Sequence, residues 1–314
     1  MDPYVSIIIP AYNEEENLPP LLERLERVLP KIGKPTEVIV VDDGSRDATA
    51  EILKKACRRY PWLKAIILRR NFGQSAALTA GIDHARGQVL VTMDADLQND
   101  PEDIPHLLAK IEEGYDVVSG WRKDRKDPFL SRRLPSRIAN WLIGKITGVK
   151  IHDYGCTLKA YRREVIQGLP IYGELHRFIP VLVDFRGARL TEIPVKHHPR
   201  RFGQSKYGFS RTYRVLLDLF LMFFFQRFAT RPLHLFGFTG GFMFATGFLI
   251  ALYLSVLKIF YGQEIGHRPL LLLGVLLIIT GINLIGTGLL AELIIRAYYE
   301  TGGRKIYLIR EIVA

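Results

Sequence analysis

The stretch GQVLVTMDADLQND, residues 87–100, places a short apolar run directly before a turn that is rich in carboxylates. The alternating, β-branched run at 87–92 predicts a buried strand. A turn at a strand end is often polar only because it meets water. The rest of the chain therefore has to show whether Asp94 and Asp96 serve a function.

The first 120 residues repeat one pattern, in which apolar runs alternate with helical stretches. The strands are predicted at 5–10, 36–41, 63–68, 87–92 and 115–120, and the helices at 15–30, 48–60, 74–85 and 101–114. Alternation of this kind predicts an α/β fold with a mostly parallel sheet and helices on both of its faces.

Polar segments follow three of the predicted strands: PAYNEE at 10–15, DDGS at 42–45 and DADLQ at 94–98. Ligands of open parallel sheets bind beyond the carboxyl ends of the strands, so these segments mark the candidate site. No GxGxxG follows the first strand and the sequence has no GxxxxGK[ST], which excludes the usual phosphate-binding loops. Carboxylates need a divalent cation between them and a polyphosphate. Asp94, Asp96 and the amide oxygen of Gln98 are hard ligands for Mg²⁺ or Mn²⁺.

Two long stretches carry no Asp, Glu, Lys or Arg, at 233–257 and 269–291. Each exceeds the roughly 20 apolar residues that a helix needs to cross a bilayer, and a short connection makes them a hairpin. Basic residues flank the pair, in RRFGQSK before it and in GGRK after it, whereas the hairpin loop holds only Lys258 and Arg268. This bias places the N-terminal domain and the C-terminus in the cytoplasm of a two-span membrane protein.

The net charge of +11 over 314 residues has nucleic acid as its other common explanation. Because the basic residues lie beside the two spans, we expect a bilayer and no nucleic acid as the partner. The N-terminus lacks the basic segment and long apolar core of a signal peptide. The expected organisation is a catalytic domain at 1–205, amphipathic juxtamembrane helices at 206–231, two membrane helices within 232–297 (about 233–257 and 269–293), and a tail at 298–314.

Four ordered segments carry a specific resemblance: IIIPAYNEEENL (7–18), VVDDGSRDAT (40–49), RNFGQSAALTAGIDHARG (70–87) and MDADLQNDPEDIP (93–105). They resemble the nucleotide-diphospho-sugar transferase domain of glycosyltransferase family 2, which has the GT-A fold, over about residues 4–210. The membrane hairpin narrows the resemblance to the polyisoprenyl-phosphate glycosyltransferases. HDYGCTLKAYRREV (152–165) and RFIPVLV (177–183) are similar to the undecaprenyl-phosphate 4-deoxy-4-formamido-arabinose transferase branch.

The resemblance implies a nucleotide-sugar donor, with a UDP-sugar favoured over GDP-mannose, and a polyprenyl phosphate acceptor, with undecaprenyl favoured over dolichyl phosphate. For the nucleotide it implies Pro10, Tyr12, Glu14 and Asp42. Asp43 is either functional or a helix cap. Asp94 would face the ribose or sugar, and Asp96 with Gln98 would hold the metal. The loop HHPRRFGQSKY (197–207) matches the family's RxxGxSK, so that Arg200, Ser205 and Lys206 would close over the diphosphate.

Acceptor binding and the chemical step involve a second group of residues. The resemblance implies arginines for the lipid phosphate, which we assign to Arg122 and Arg133, and further to Arg132 and Arg137. Asp153 matches the aspartate near the reacting centre. It acts either as a general base or by orienting the acceptor, because a phosphate monoester is already mostly dianionic at neutral pH. We interpret His152, His197, His198 and Cys156 as structural.

Two other classes of function stay open. A processive polysaccharide synthase would need a QxxRW motif and more spans, and QRFATRP at 226–232 lacks the Trp. A non-catalytic membrane scaffold would not need the three aspartates. The tail alternates at Ile306, Leu308, Arg310 and Ile312 like an edge strand. This pattern favours strand addition to a neighbouring protomer and hence a homo-oligomer, a tetramer by analogy.

Overall fold

A computed structural model describes residues 2–123, 140–141, 143–145, 147–169, 171, 175–199, 232–266, 268–300 and 305–314. The chain divides into two compact units. One unit comprises residues 1–219 together with 305–314, and the other comprises residues 220–304. The juxtamembrane helices predicted at 206–231 lie outside the described residues.

The first unit follows the predicted alternation of strands and helices. Its strands are β1 (Val5–Ala11), β2 (Thr36–Asp42), β3 (Leu63–Leu68), β4 (Val89–Thr92), β5 (Val117–Trp121), β6 (Lys159–Arg162), β7 (Leu190–Pro194) and β8 (Ile309–Val313). Its helices are α1 (Leu18–Ile32), α2 (Thr49–Arg59), α3 (Gln74–His84), α4 (Ile104–Glu112), α5 (Arg163–Ile166) and α6 (Ile179–Asp184). All five predicted strands and all four predicted helices are present, with ends displaced by up to three residues.

The strands form one sheet in the order β7-β5-β6-β4-β1-β2-β3-β8. Strands β4, β1, β2 and β3 are parallel neighbours, as the α/β pattern predicts. β6 runs antiparallel between β4 and β5, so that β5 again runs in the direction of β4. The fold is therefore the mostly parallel α/β sheet that we predicted, with antiparallel strands that the pattern did not reveal.

Helices cover both faces of this sheet because successive strand residues point in opposite directions. Val38 and Val40 of β2 belong to the same apolar cluster as side chains of α1, α2 and α4. Ile39 and Val41 belong to the opposite cluster, with side chains of α3, α5 and α6. Both faces of the central strands are buried, so these strands are continuous apolar runs.

The C-terminal tail contains the strand that its alternation predicts, but its partner differs from the prediction. β8 pairs antiparallel with β3 of its own chain, with Ile66 opposite Ile312 and Ala65 opposite Val313. The edge of β3 is therefore occupied by the tail of the same chain and not by the tail of a neighbouring protomer. The tail fills the edge of its own sheet because β3 otherwise exposes unpaired backbone groups.

The second unit contains α7 (Pro232–Tyr261) and α8 (Pro269–Glu300). Within them, Phe236–Tyr261 and Pro269–Ala291 are long and apolar enough to cross a membrane. Only 11% of the most apolar window of each helix is buried, unlike the core helix of a soluble protein. Gly240 lies against Gly281 and Gly247 against Gly274. An added Cβ at Gly240, Gly247 or Gly281 would lie 2.5–2.7 Å from a carbonyl oxygen of the other helix.

Candidate active site

The predicted site segments lie at one edge of the sheet. The parallel strands β1, β2, β4 and β5 all end there, at Ala11, Asp42, Thr92 and Trp121. The antiparallel strands β6 and β8 begin at the same edge, so the residues just before them face it too. Residues from both halves of the sequence thus meet at this edge, as Asp94 and Asp153 illustrate.

Asp94 is held at both of its carboxylate oxygens. The Gln74 side-chain amide donates to Oδ1 at 2.9 Å, and the Thr157 hydroxyl donates to Oδ2. The backbone N–H of Asp94 donates to the Asn99 side chain at 3.2 Å. Burial, together with the negative charge of Asp96, raises the pKa of Asp94 to about 6. The site thus fixes this carboxylate in one orientation and destabilises its charged form.

Asp96 and Gln98 flank a strained backbone position. Leu97 has φ of +61° although it has a Cβ, a conformation that costs about 1–2 kcal/mol. Its side chain is only 1% exposed and packs in the core with that of Met93. Burial of Leu97 offsets the strain, and the tight turn keeps Asp96 close enough to Asp94 to raise the pKa of the latter.

The donor set fits a hard divalent cation. Two carboxylates, Asp94 and Asp96, repel one another at a largely buried edge, and a cation removes that repulsion. Within the described ranges, no three His, Cys, Asp or Glu side chains come together to enclose a metal. Mg²⁺ commonly takes one or two carboxylates and completes its shell with water and substrate phosphate. Asp94 and Asp96 are such a pair of carboxylates, and the Gln98 N–H donates to Asp96 at 3.2 Å.

The segments after β1 and β2 are tied to each other. The Asn13 N–H donates to the Ser45 hydroxyl at 2.9 Å, and the Arg46 N–H donates to the Asn13 side chain at 2.8 Å. Asn13 is the second described residue other than glycine with positive φ, at +54°. The predicted nucleotide residues Pro10, Tyr12 and Glu14 share this segment, and the Glu14 N–H donates to the Thr49 hydroxyl at 2.9 Å.

Asp42 and Asp43 end β2 and have different partners. Asp42 accepts from the backbone N–H of Ser45 at 3.0 Å, and burial raises its pKa. Asp43 accepts from the N–H groups of Phe72 and Gly73 at 2.8 and 2.9 Å. Asp43 therefore holds the loop that leads into α3. It does not cap the start of α2.

Arg122 and Asp153 form a bidentate ion pair. The Nε and Nη2 groups of Arg122 donate to the two Asp153 oxygens at 2.7 and 2.9 Å, with side chains 14% and 4% exposed. Burial lowers the pKa of Arg122, but the hydrogen bond and the charge of Asp153 outweigh it and raise the pKa. The Gly155 N–H also donates to Asp153, at 3.1 Å. The two predicted residues are thus brought together, with Asp153 as the arginine's partner.

A cavity next to Asp94 contains residues that the sequence reasoning did not assign. Gln74, Thr157, Lys159, His176 and Arg177 are among the residues that line it. His176 is buried, and its Nδ1 lies 2.9 Å from the Ser75 hydroxyl. Lys159 is buried and donates to the carbonyls of Tyr154 and Cys156, and burial lowers its pKa. Gln74 and Thr157 stand inside RNFGQSAALTAG and HDYGCT, so those motifs contained the signal.

The remaining predicted residues divide into two groups. Arg132, Arg133, Arg137, Arg200, Ser205 and Lys206 lie outside the described residues. The histidines have structural surroundings: the His152 ring stacks on Trp121 with centroids 4.3 Å apart, and His198 Nε2 lies 3.0 Å from Asp100. His197 forms a β-bridge with Asn99, and Cys156 is buried in the core.

The chain is similar to proteins of known activity over nearly its full length. It is 47% identical over 312 residues to the dodecaprenyl-phosphate galacturonate synthase of Rhizobium johnstonii, which covers 98% of this chain and 92% of that protein. It is 41% identical over 319 residues to the undecaprenyl-phosphate 4-deoxy-4-formamido-L-arabinose transferase of Pseudomonas aeruginosa, covering 100% of this chain and 92% of that one.

Solved structures share the fold. The glucosyl-3-phosphoglycerate synthase of Mycobacterium tuberculosis, in complex with Mn²⁺ and UDP-glucose, superimposes with a TM-score of 0.55 at 20% identity, over 70% of this chain and 79% of that one. The profile of the family described as "Glycosyl transferase family 2" matches residues 6–169. With that match and the two near-full-length relatives, the chain is a glycosyltransferase of family 2.

Proposed function

We propose that this enzyme transfers a sugar from a nucleoside-diphosphate sugar, a UDP-sugar, to a polyprenyl phosphate at the cytoplasmic face of a membrane, with inversion at the anomeric carbon. The single observation that carries the proposal is the carboxylate-lined edge of the sheet, where Asp94 is fixed beside Asp96 in a chain that also contains two exposed apolar helices.

The donor half of the proposal is supported by the chemistry of this edge. Asp94 and Asp96 would hold a divalent cation, Mg²⁺ or Mn²⁺, which would neutralise a diphosphate and stabilise it as a leaving group. Pro10, Tyr12, Glu14 and Asp42 lie on the two tied segments beside it and would surround the nucleoside. A distant structural neighbour was crystallised with Mn²⁺ and UDP-glucose, which agrees with this assignment.

The acceptor half is supported by the ion pair and by the relatives. Two relatives above 40% identity are named for sugar transfer to dodecaprenyl or undecaprenyl phosphate. An arginine carries five N–H donors, and Asp153 engages two of those of Arg122. The others suit a phosphate dianion. Arg132, Arg133 and Arg137 would add positive charge from the neighbouring segment, while α7 and α8 anchor the enzyme in the bilayer that holds the lipid.

The proposed mechanism is a single displacement. An oxygen of the lipid phosphate attacks the anomeric carbon as the bond from that carbon to the nucleoside diphosphate breaks, and the electron pair leaves with the diphosphate. Arg122 orients the attacking phosphate, and Asp153 acts as a positioning residue that holds the guanidinium in place. Because the attacking oxygen is already ionised at neutral pH, no protein group has to remove a proton. Arg200, Ser205 and Lys206 would cover the diphosphate.

A panel of donors tests the proposal. The detergent-purified full chain is incubated with Mg²⁺ or Mn²⁺, undecaprenyl phosphate and labelled UDP-galacturonate, UDP-4-deoxy-4-formamido-arabinose, UDP-glucose or GDP-mannose. We expect the label from one UDP-sugar to enter the organic phase, and EDTA to abolish the transfer. Transfer from GDP-mannose alone would instead identify a mannosyltransferase.

Matched variants separate catalysis from folding. Asp96→Asn should lose more than about 100-fold in activity, since it removes a ligand of the cation that stabilises the leaving group. Asp184→Asn, an exposed aspartate at the end of α6, should retain wild-type activity. If wild type transfers no sugar and binds neither UDP nor GDP with metal, the scaffold alternative replaces the enzyme. Polymer growth from the donor would identify a processive synthase.

A further inference from the structure

The C-terminal strand brings a cation to the donor end of the sheet. β8 runs antiparallel to β3, so its first residues lie at the edge where the parallel strands end. Asp42 at the end of β2 is in register with Ile67 of β3, and Ile67 is in register with Glu311 of β8. Two strand spacings, about 10 Å, therefore separate the backbone of Asp42 from that of the tail.

A β-bulge sets the direction of Arg310. Leu68 pairs with Ile309 and Ile67 pairs with Glu311, which leaves Arg310 as an extra residue between the two pairs. Ile309 packs against the cluster on the α3 face, whereas Glu311 pairs with Lys54 of α2 on the opposite face. The extra residue interrupts the alternation where the strand changes from the α3 face to the α2 face, and bulges at sheet edges commonly redirect a side chain in this way.

Asp42 points to that same face. Val38 and Val40 of β2 belong to the cluster on the α1 and α2 side, and alternation gives Asp42 the same direction. Burial raises the pKa of Asp42, the hydrogen bonds from Ser45 lower it in part, and the positive charge of Arg310 lowers it by a smaller amount. Two observations, the register and the electrostatic effect, thus agree that Arg310 acts on the carboxylate that we place beside the nucleoside.

The tail also supports the loop between β3 and α3, which borders the same end of the sheet. The Leu308 carbonyl accepts from the Arg69 N–H at 2.9 Å, directly after β3. Gly44 of the DDGS segment lies so close to Arg70 that an added Cβ would be 2.4 Å from its carbonyl carbon. The loop between β3 and α3 is thus held by the tail on one side and by the β2 turn on the other. Tyr307 fixes the tail through a 2.8 Å bond to Asp83 of α3.

We infer that residues 305–314 form the outer wall of the donor-nucleotide site, in which Arg310 is a positioning residue that places a positive charge near Asp42. The inference rests on the proposed function, because it takes a nucleoside diphosphate as the ligand. The membrane hairpin and the nucleotide site are then joined by one continuous segment of chain. Residues that follow the last membrane helix become part of donor recognition.

Calorimetric titration of the full chain with UDP and Mn²⁺ tests the inference. Arg310→Ala should weaken the binding of UDP about fivefold, the worth of one exposed charge contact, and Arg310→Lys should restore most of it. In the transfer assay, Arg310→Ala should raise KM for the donor and leave kcat and KM for the polyprenyl phosphate unchanged. The matched control is Glu311→Gln, whose side chain pairs with Lys54 at 2.8 Å on α2 and should bind UDP like wild type.

Each other outcome counts against the inference. Unchanged UDP affinity in Arg310→Ala, with wild type binding normally, would overturn the role of the tail and leave the proposed function intact. An equal loss in Glu311→Gln, or a loss that Arg310→Lys does not restore, would assign the effect to the integrity of the strand and overturn the role of Arg310. Failure of wild type to bind UDP or GDP with metal would overturn both proposals.

Discussion

At the scale of single residues, the sheet edge stores electrostatic strain that a ligand relieves. Asp94 is oriented by two hydrogen-bond donors and yet lies close to the buried carboxylate of Asp96. A protein keeps such an arrangement when a cation completes it. Arg122 and Asp153 differ from this pair because their charges already compensate each other. The two clusters therefore suit different ligands, a cation–diphosphate complex and an anionic acceptor.

The raised pKa of Asp94 gives a pH-dependent metal affinity. In the metal-free protein this carboxyl holds its proton up to about pH 6, so its protonation stabilises the fold at low pH and that stabilisation is lost as the pH rises through 6. A metal ion must displace this proton. We expect the affinity for Mn²⁺ and UDP, measured by calorimetry, to fall about fourfold between pH 7.5 and pH 5.5, as the uptake of one proton with a pKa of about 6 requires. A flat profile over that range would contradict the coupling between Asp94 and the metal.

The two roles considered for Asp153 predict different kinetics. If Asp153 positions Arg122, Asp153→Asn should raise KM for the polyprenyl phosphate about tenfold or more, because a buried charge pair is broken, and should leave the donor KM unchanged. The pH profile of kcat should keep its shape. A general base would instead show a collapse in kcat and a lost acidic limb. Arg122→Lys, which keeps the charge but not the bidentate fork, should resemble Asp153→Asn.

At the scale of elements, close glycine contacts hold the two long helices together. An added Cβ at Gly247 would lie 2.6 Å from the Gly274 carbonyl, whereas one at Gly241 would meet nothing within 4 Å. Small residues at such crossings let helix backbones approach in a bilayer, where packing replaces the hydrophobic effect. The hairpin is thus specified by a few positions within otherwise apolar sequence.

Alanine at these two glycines should act in opposite directions. Gly247→Ala should lower the thermal midpoint in detergent, because the helices must separate to accommodate the methyl group. Gly241→Ala should leave it unchanged or raise it slightly, since alanine is the better helix former by about 1 kcal/mol. Thermal scanning of both purified variants provides the comparison. Equal midpoints would show that the helices do not pack through Gly247.

The sequence predicted the positions of helices and strands better than it predicted which strands pair with each other. The strands from β1 to β5 were predictable because each is an apolar run between turn residues, and the aspartates after them were predictable from parallel topology. β6 was not, since LKAYR gives no periodic signal, and its antiparallel insertion depends on long-range packing. Gln74 and Thr157 lie within the motifs RNFGQSAALTAG and HDYGCT. Their shared contact with Asp94 was not predictable, because it joins residues far apart in the chain. The partner of β8 was likewise not predictable, because β3 lies far from β8 in the sequence.

At the scale of the whole molecule, the chain combines a unit that buries its apolar side chains with a unit that exposes many of them. Phe238 is 79% exposed and Ile259 75% exposed on α7, and such surfaces need lipid around them. The tail then returns to the sheet of the first unit. The proposed soluble donor and membrane-bound acceptor fit this combination in one enzyme.

The predicted topology assigns each segment to one side of the membrane. The charge bias places the 262–268 loop on the side opposite to the catalytic unit. A cysteine at Gln263 should react with an impermeant maleimide added outside intact cells, and a cysteine at exposed Asp184 should react only after permeabilisation. The native Cys57 and Cys156 are buried and give little background. Reaction at Asp184 in intact cells would reverse the orientation.

The configuration of the lipid-linked product tests the central claim most directly. The product of the active donor and undecaprenyl phosphate is isolated, and the coupling between the protons at its first two sugar carbons is measured by NMR spectroscopy. Direct attack by the lipid phosphate at one site predicts an anomeric configuration opposite to that of the donor. A product with the configuration of the donor would require two displacements and would contradict the account.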